Sequence, residues 1–290
     1  MANSTSTAPE LTAEQVQAIL VQPLEAASLF LASGPRIFDT NGSQIRIPKM
    51  GAATSPAWHG ENDLITEQDA TFDEVVLLPS TMKSVKVITR YSNELARQSI
   101  VALDAALKDR LVADVASTID AAFFGSAGDG IASPKGILGW AGTQVVDAAG
   151  AAISLDLLLD AWGKALAANV NIAGLRWFMR PEAFTALRKI KQGTGSNQYV
   201  LTPDATADGV FRLFGTQVVI TNRLPLDGES QQSVVLADMS QVAVARDLAP
   251  SVKVLTETYA AYDQQALRVI ARYDVGALNP EAIVKITNVL

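Results

Sequence analysis

The residues with most chemical potential in this chain are few and scattered. His59 is the only histidine, and there is no cysteine. That removes disulfides, thiolate nucleophiles and the usual cysteine–histidine zinc sites. A serine triad would have to use His59, and no Gly-x-Ser-x-Gly elbow accompanies it. His59 therefore reads as an ordinary exposed loop residue. Gly125-Ser126-Ala127-Gly128-Asp129-Gly130 has the glycine density of a phosphate-binding loop. It follows a helical pattern instead of a strand, and Lys135 stands between Pro134 and Gly136 where Gly-Lys-Ser/Thr would be needed. It reads as a structural turn. Asp156 and Asp160 share a helix face at i,i+4, a spacing common on solvated surfaces. Glu61, Asp63, Glu67 and Asp69 form an acidic run, and Arg180, Arg188, Lys189 and Lys191 form the densest basic patch. Either suits solvent or an oppositely charged neighbour; the basic patch also suits a grazing contact with DNA. These residues assemble no catalytic, cofactor or metal site.

The elements that carry these groups are clearer than the chemistry. Ser92-Asn93-Glu94 is a helix start, with a cap-type side chain and an acid in the first turn. Apolar residues then recur at Ile100, Leu103, Leu107, Leu111, Val115, Ile119 and Phe123, the spacing of one helical face. Asp104, Lys108, Asp109, Arg110, Asp114 and Asp120 lie off that stripe, and Gly125 ends it as a left-handed cap should. From Glu94 to Phe124 such a helix runs roughly 45 Å at ~1.5 Å per residue, and a stripe that long wants an equally long partner. With 290 residues, 49 % hydrophobic and 18 % charged, the chain can bury a real core. No apolar run is long enough to cross a membrane. The net charge of −7 argues against tight binding of phosphate backbones, which calls for a basic excess.

A long helix, then Phe-Phe-Gly-Ser-Ala-Gly-Asp-Gly, a short gap and Pro134-Lys135-Gly136-Ile137-Leu138 resembles the major capsid proteins of tailed bacteriophages. The match is close from Gly125 to Leu138 and looser over most of the chain. The resemblance implies an α+β subunit of the Hong Kong 97 type, a fold shared with encapsulins. It implies an N-terminal arm at 1–44 and an extended hairpin loop at 45–78. A peripheral domain with the spine helix and a sheet would take 79–136 and 234–274; an α/β axial domain would take 137–233 and 275–290. It implies a structural protein that is not an enzyme and needs no cofactor. Its partner is itself, as pentamers and hexamers in an icosahedral head shell that encloses DNA without reading its sequence. A separate scaffolding protein, a portal and a decoration protein are further expected partners, with no membrane. Its place is the virion, and the host cytoplasm before assembly. Only 44 residues precede Ile45, so the expectation is that scaffolding is a separate chain, or that none is used, or that this is a processed form, against which Met1 speaks.

The chain in order fits this frame. Met1 to Glu10 is small and polar, and Thr12-Ala13-Glu14-Gln15 reads as a capping box for a short helix to about Val21. Ala26 to Phe38 has no clear period. Ile45 to Leu78 looks like a long hairpin with too little apolar surface for its own core, and the resemblance implies that it lies across the next subunit, where its surface is buried. Trp58 and Glu61 near its tip are candidate inter-subunit contacts. Val85 and Val87 alternate with Lys83 and Lys86; both lysines read as solvent-facing, with a lattice contact as the alternative. Ser154 caps a helix carrying Leu155, Leu158, Leu159, Trp162 and Leu166, and Leu175 to Met179 is a buried strand. Pro181 starts a helix with Phe184 and Leu187 inward. Arg180, Arg188 and Lys189 complete the candidate contacts. Phe214-Gly215 turns into a strand to Thr221. Val234–Ala237, Val242–Ala245, Val252–Leu255 and Ala266–Tyr273 are strands expected to lie against the spine helix, and Asn279 to Lys285 closes the chain with a turn and a short strand.

Two alternatives remain at this level. One is an encapsulin-like compartment around a cargo protein, against which the Gly-Asp-Gly and Pro-x-Gly-Ile pattern and the polar arm both weigh. The other is an α/β hydrolase or nucleotide-binding enzyme, which needs a site the sequence does not supply.

Overall fold

The long apolar stripe is helical. In the computed structural model, which describes residues 28–50, 58–62, 64, 72–78, 83–94, 103–193, 196–201, 211–226, 231–247 and 251–290, helix α2 spans Leu103–Phe124. Ahead of it come α1 (Leu29–Ala32), β1 (Arg36–Thr40), β2 (Ile45–Met50), β3 (Phe72–Leu77) and β4 (Ser84–Ser92). At 22 residues α2 is roughly 33 Å long at ~1.5 Å per residue. Leu111, Val115, Ile119 and Phe123 are buried, as their spacing predicts, together with Ala116 and Phe124. The expected turns from 95 to 102, and the capping box and helix before Val21, lie outside the described residues.

After α2 come β5 (Gln144–Asp147), α3 (Leu155–Ala167), β6 (Leu175–Met179), α4 (Pro181–Arg188), β7 (Arg212–Leu213), β8 (Thr216–Ile220) and β9 (Gln232–Asp238). The chain then runs through β10 (Val242–Asp247), β11 (Ser251–Leu255), β12 (Gln264–Ala277) and β13 (Ile283–Val289). One sheet has the order β1-β10-β12-β11, with β4 also pairing β12. The 14-residue β12 is its common strand: residues 264–272 pair with β4, 266–270 with β11 and 273–277 with β10. The second sheet has the order β5-β13-β9-β6-β8-β7. Its parallel β6–β8 pair is joined through α4, the crossover expected of an α/β layer.

The second sheet is covered on both faces. Val235 and Ala237 of β9 join the core around α2, while Val234 and Leu236 join the core under α3 and α4. This corrects the placement of Val234–Ala237 in the sheet beside the spine helix: β9 pairs with β13 and β6. The unbroken apolar run was the signal, because a strand buried on both faces loses its alternation. The other three expected strands do form the sheet against α2.

Four further expectations change. Residues 28–40, expected as part of the N-terminal arm, pack on their own chain. Phe30 is fully buried between Phe123 and Phe124, with ring centroids 5.1 Å from each, and β1 pairs in parallel with β10. Asp120, off the apolar stripe, is only 3 % exposed because α1 lies over it. On α3 the inner face is Leu158, Ala161 and Ala165, whereas Leu159 and Leu166 are 48 % and 44 % exposed. The root of the hairpin is also buried on its own body. Leu77 and Leu78 pack with Ala243 and Ala245, while β2 and β3 pair from Ile45–Leu77 to Met50–Phe72.

Candidate functional site

The glycine-rich turn after α2 joins the two sheets, and its geometry shows what the motif does. Asp129 folds its carboxylate back into the loop. Oδ1 accepts from the N–H groups of Ile131, Ala132 and Ser133, each at 2.9 Å, and from the Ser133 hydroxyl at 3.1 Å. These bonds hold its carboxyl down to about 2. The donors a phosphate would need are therefore already taken by an anion of the loop's own. Gly128 and Gly136 are required by close packing. A Cβ on Gly128 would overlap the carbonyl of Pro134, and one on Gly136 would lie 2.5 Å from the Gly125 oxygen and 2.6 Å from that of Phe123. Gly125 is not among the glycines with positive φ; a Cβ there would sit 2.9 Å from the Ala121 oxygen, so close approach replaces the expected left-handed cap.

The following turn is anchored from the far sheet. Lys285 of β13, 8 % exposed, donates to the carbonyls of Leu138 and Trp140 at 3.0 and 3.2 Å. Burial first, and the charge of Lys135 second, push its ammonium below the ordinary lysine range. The Trp140 indole N–H donates to the Lys135 carbonyl at 2.6 Å. Sequence reasoning missed Lys285; its only sign was a lysine within the apolar run Ile283-Val284-Lys285-Ile286.

The seven candidate contact residues fall into separate places. Trp58 and Glu61 are exposed, Trp58 completely, and Leu64 nearby is 88 % exposed. Asp63, Glu67 and Asp69 of the acidic run lie outside the described residues. Lys86 is exposed on β4. Lys83 is not solvent-facing: it is 6 % exposed, and its Nζ lies 2.7 Å from both oxygens of Asp274. Period two explains the correction, since Lys83 shares the inward face of Val85 and Val87. Asp274 also accepts from the N–H groups of Leu78 and Val275, each at 2.9 Å, so this one carboxylate ties the hairpin's exit to β12. Arg180 braces the start of α4, donating to the carbonyls of Asn222 at 3.0 Å and Leu224 at 2.7 Å and to Glu182 at 3.2 Å. Arg188 lies over the rings of Phe184 and Phe211, while Lys189 is exposed.

A cleft of about 420 Å³ runs between α2 and the β8 end, lined by Asp120, Ser117, Thr221, Asn222 and Arg223. Asp120 looks chemically promising there, because burial raises its carboxyl above the ordinary range. Its oxygens are committed, however, to the Ser28 hydroxyl at 2.5 Å and to the N–H groups of Leu29 at 2.9 Å and Phe30 at 3.2 Å. It caps α1. Among the described residues no three of His, Cys, Asp and Glu gather as a metal site, and His59 stands in an exposed loop. The described surface offers exposed apolar side chains at Trp58 and Leu64 and exposed charges at Glu61, Lys86 and Lys189.

Comparison with known proteins agrees. The description of the phage capsid family matches residues 10–288. The major capsid protein of Klebsiella oxytoca phage phiKO2 is 23 % identical over 304 aligned positions, covering 97 % of this chain and 68 % of that protein. Among solved structures, the capsid of a native GTA particle superposes with a TM-score of 0.74 at 18 % identity, covering 91 % of this chain and 90 % of that one. A structure from Microbacterium phage Oxtober96 gives 0.71 at 17 % identity, covering 90 % of each chain. The chain belongs to the phage capsid family, and its fold is the Hong Kong 97 type of tailed-phage capsids.

Proposed function

We propose that the chain is the major capsid protein of a tailed phage, self-assembling through repeated contacts into the icosahedral shell around the genome. Family membership places it in the virion capsid as a structural protein. The observation that carries the assembly reading is the hairpin: its root is buried on its own body, yet Trp58 and Leu64 stand almost wholly in solvent. Apolar side chains held that far from a core are explained by a surface on another copy. Pentamers and hexamers, with help from a separate scaffolding protein, a portal and a decoration protein, belong to the same reading. So do assembly in the host cytoplasm, no membrane and no catalytic role. The net charge of −7 supports a shell that encloses DNA without gripping it. Negative-stain microscopy of the purified chain, with and without scaffold, tests this. Closed or partial shells are expected; monodisperse monomer under every condition would remove the reading. Co-purification of a cargo protein in place of DNA would redirect it to an encapsulin-like compartment.

A further inference from the structure

Two surfaces on the second sheet's helical layer are open and opposite in charge. On α3, Leu159 is 48 % exposed, with the exposed acids Asp156 and Asp160 beside it. Neither acid has a cation partner among the described residues. Elsewhere, Arg188 lies 5.7 Å from the Phe184 ring centre and 5.5 Å from that of Phe211. It forms one wall of a cavity of about 230 Å³, lined also by Val200 and Arg212. Arg188 and Arg212 likewise have no carboxylate partner among the described residues. α3 packs on β5, β13 and β9, and the ring of its Trp162 lies 6.1 Å from that of Phe214, which follows β7. The cavity is lined by α4 and the β7 region, so patch and cavity are distinct surfaces of the chain.

We propose that the outer face of α3 in one copy docks on the Arg188–Phe211 cavity of the next copy. Leu159 enters the cavity, and Asp156 and Asp160 meet Arg188 and Arg212. This rests on the shell-forming reading and names the surfaces of one of its contacts. Charge selects the occupant: an apolar residue flanked by acids is what a cavity with aromatic walls and an arginine rim accepts, and this chain displays one. Patch and cavity are different surfaces of the chain, so the contact is heterologous, the kind that builds a ring when the rotation closes. It also explains why α3 carries more leucine than its own core uses.

The chain's lack of cysteine makes a crosslinking test direct. Gly163→Cys lies one turn beyond Leu159, where an added Cβ meets nothing within 4 Å. Val200→Cys lies at the cavity, 37 % exposed. The two single variants are co-assembled in equal amounts and treated with a short bis-maleimide. A dimer-sized band is expected in mixed particles and in neither variant assembled alone. Adding Leu159→Glu to the Gly163→Cys copies is expected to abolish it with the melting temperature unchanged. Particles seen by microscopy but uncrosslinked in the mixture would overturn the docking while leaving the shell reading intact, as would crosslinking indifferent to Leu159→Glu. Failure of the unsubstituted chain to form particles removes both.

Discussion

Single carboxylates set the local electrostatics of this subunit, in three different ways. Asp129 is an exposed acid whose neighbours all donate to it. Its folded carboxyl, about 2, lies below the ordinary 3.8. The contribution is thus complete above the unfolded value and is lost as pH falls through the folded one. The melting-temperature gap between the protein and Asp129→Asn should be constant above about pH 5 and close as pH falls from 3.8 toward 2. A gap that widens in acid would contradict this. Asp120 works in the opposite sense. Burial raises its carboxyl, so the folded state holds that proton more tightly, and this group alone favours the fold as pH falls through its folded value toward 3.8. Asp274 is the structural extreme, 1 % exposed, with Lys83 and two backbone N–H groups on it. Asp274→Ala should cost about 3–5 kcal/mol by leaving a buried cation unpaired. Lys83→Met should cost less, about 1–3 kcal/mol, because the two N–H groups still neutralise part of the carboxylate. Urea unfolding of both variants checks the order; the reverse order would show that the lysine, not the carboxylate, is the organising group.

Elements are held together here by glycines that nothing can replace and by helices that tolerate change. Gly136→Ala sets a methyl against carbonyl oxygens at the end of α2, all of them backbone. No rotamer relieves that, and a loss of about 3 kcal/mol is expected from thermal unfolding. Gly163→Ala, in the interior of α3 with open space around it, should stabilise the subunit by roughly 0.5–1 kcal/mol. Equal effects at the two sites would mean that the turn does not depend on close backbone contact. The same contrast explains which elements were legible in the sequence. Caps and periods act locally, so Ser154, Pro181 and the Leu111–Phe123 stripe announced their helices, and Leu175–Met179 its strand. The Gly-Asp-Gly loop was legible as a structural turn, but not the reason for it, since Pro134 and Phe123 meet it only after folding. What failed was long-range. β9 was assigned to the wrong sheet because a run buried on both faces does not say which strands flank it. Asp120 and Lys83 looked exposed because their partners are distant in the chain, α1 for one and Asp274 for the other. Lys285 left no periodic trace at all.

At the scale of the whole molecule, the subunit buries much of its apolar surface within the chain and leaves part in solvent, and the roles of the two can be separated by experiment. The packed side of α2 and both faces of the second sheet lie within the chain. Trp58 and Leu64 do not: the first is fully exposed and the second 88 % exposed. Removing a core side chain of similar size would cost about 3–5 kcal/mol. Trp58→Ala should leave the stability of the isolated subunit unchanged to within about 0.5 kcal/mol, because its side chain is fully exposed. If its surface is buried only on another copy, the same substitution should sharply lower particle yield at fixed subunit concentration. The effect is multiplied by repetition, because a shell uses the contact once per subunit and a small loss at each recurs throughout the lattice. Light scattering of assembly beside calorimetry of the monomer measures both terms on one preparation. Loss of monomer stability would place Trp58 in the subunit's own core, and unchanged assembly would deny the hairpin tip a role in the lattice.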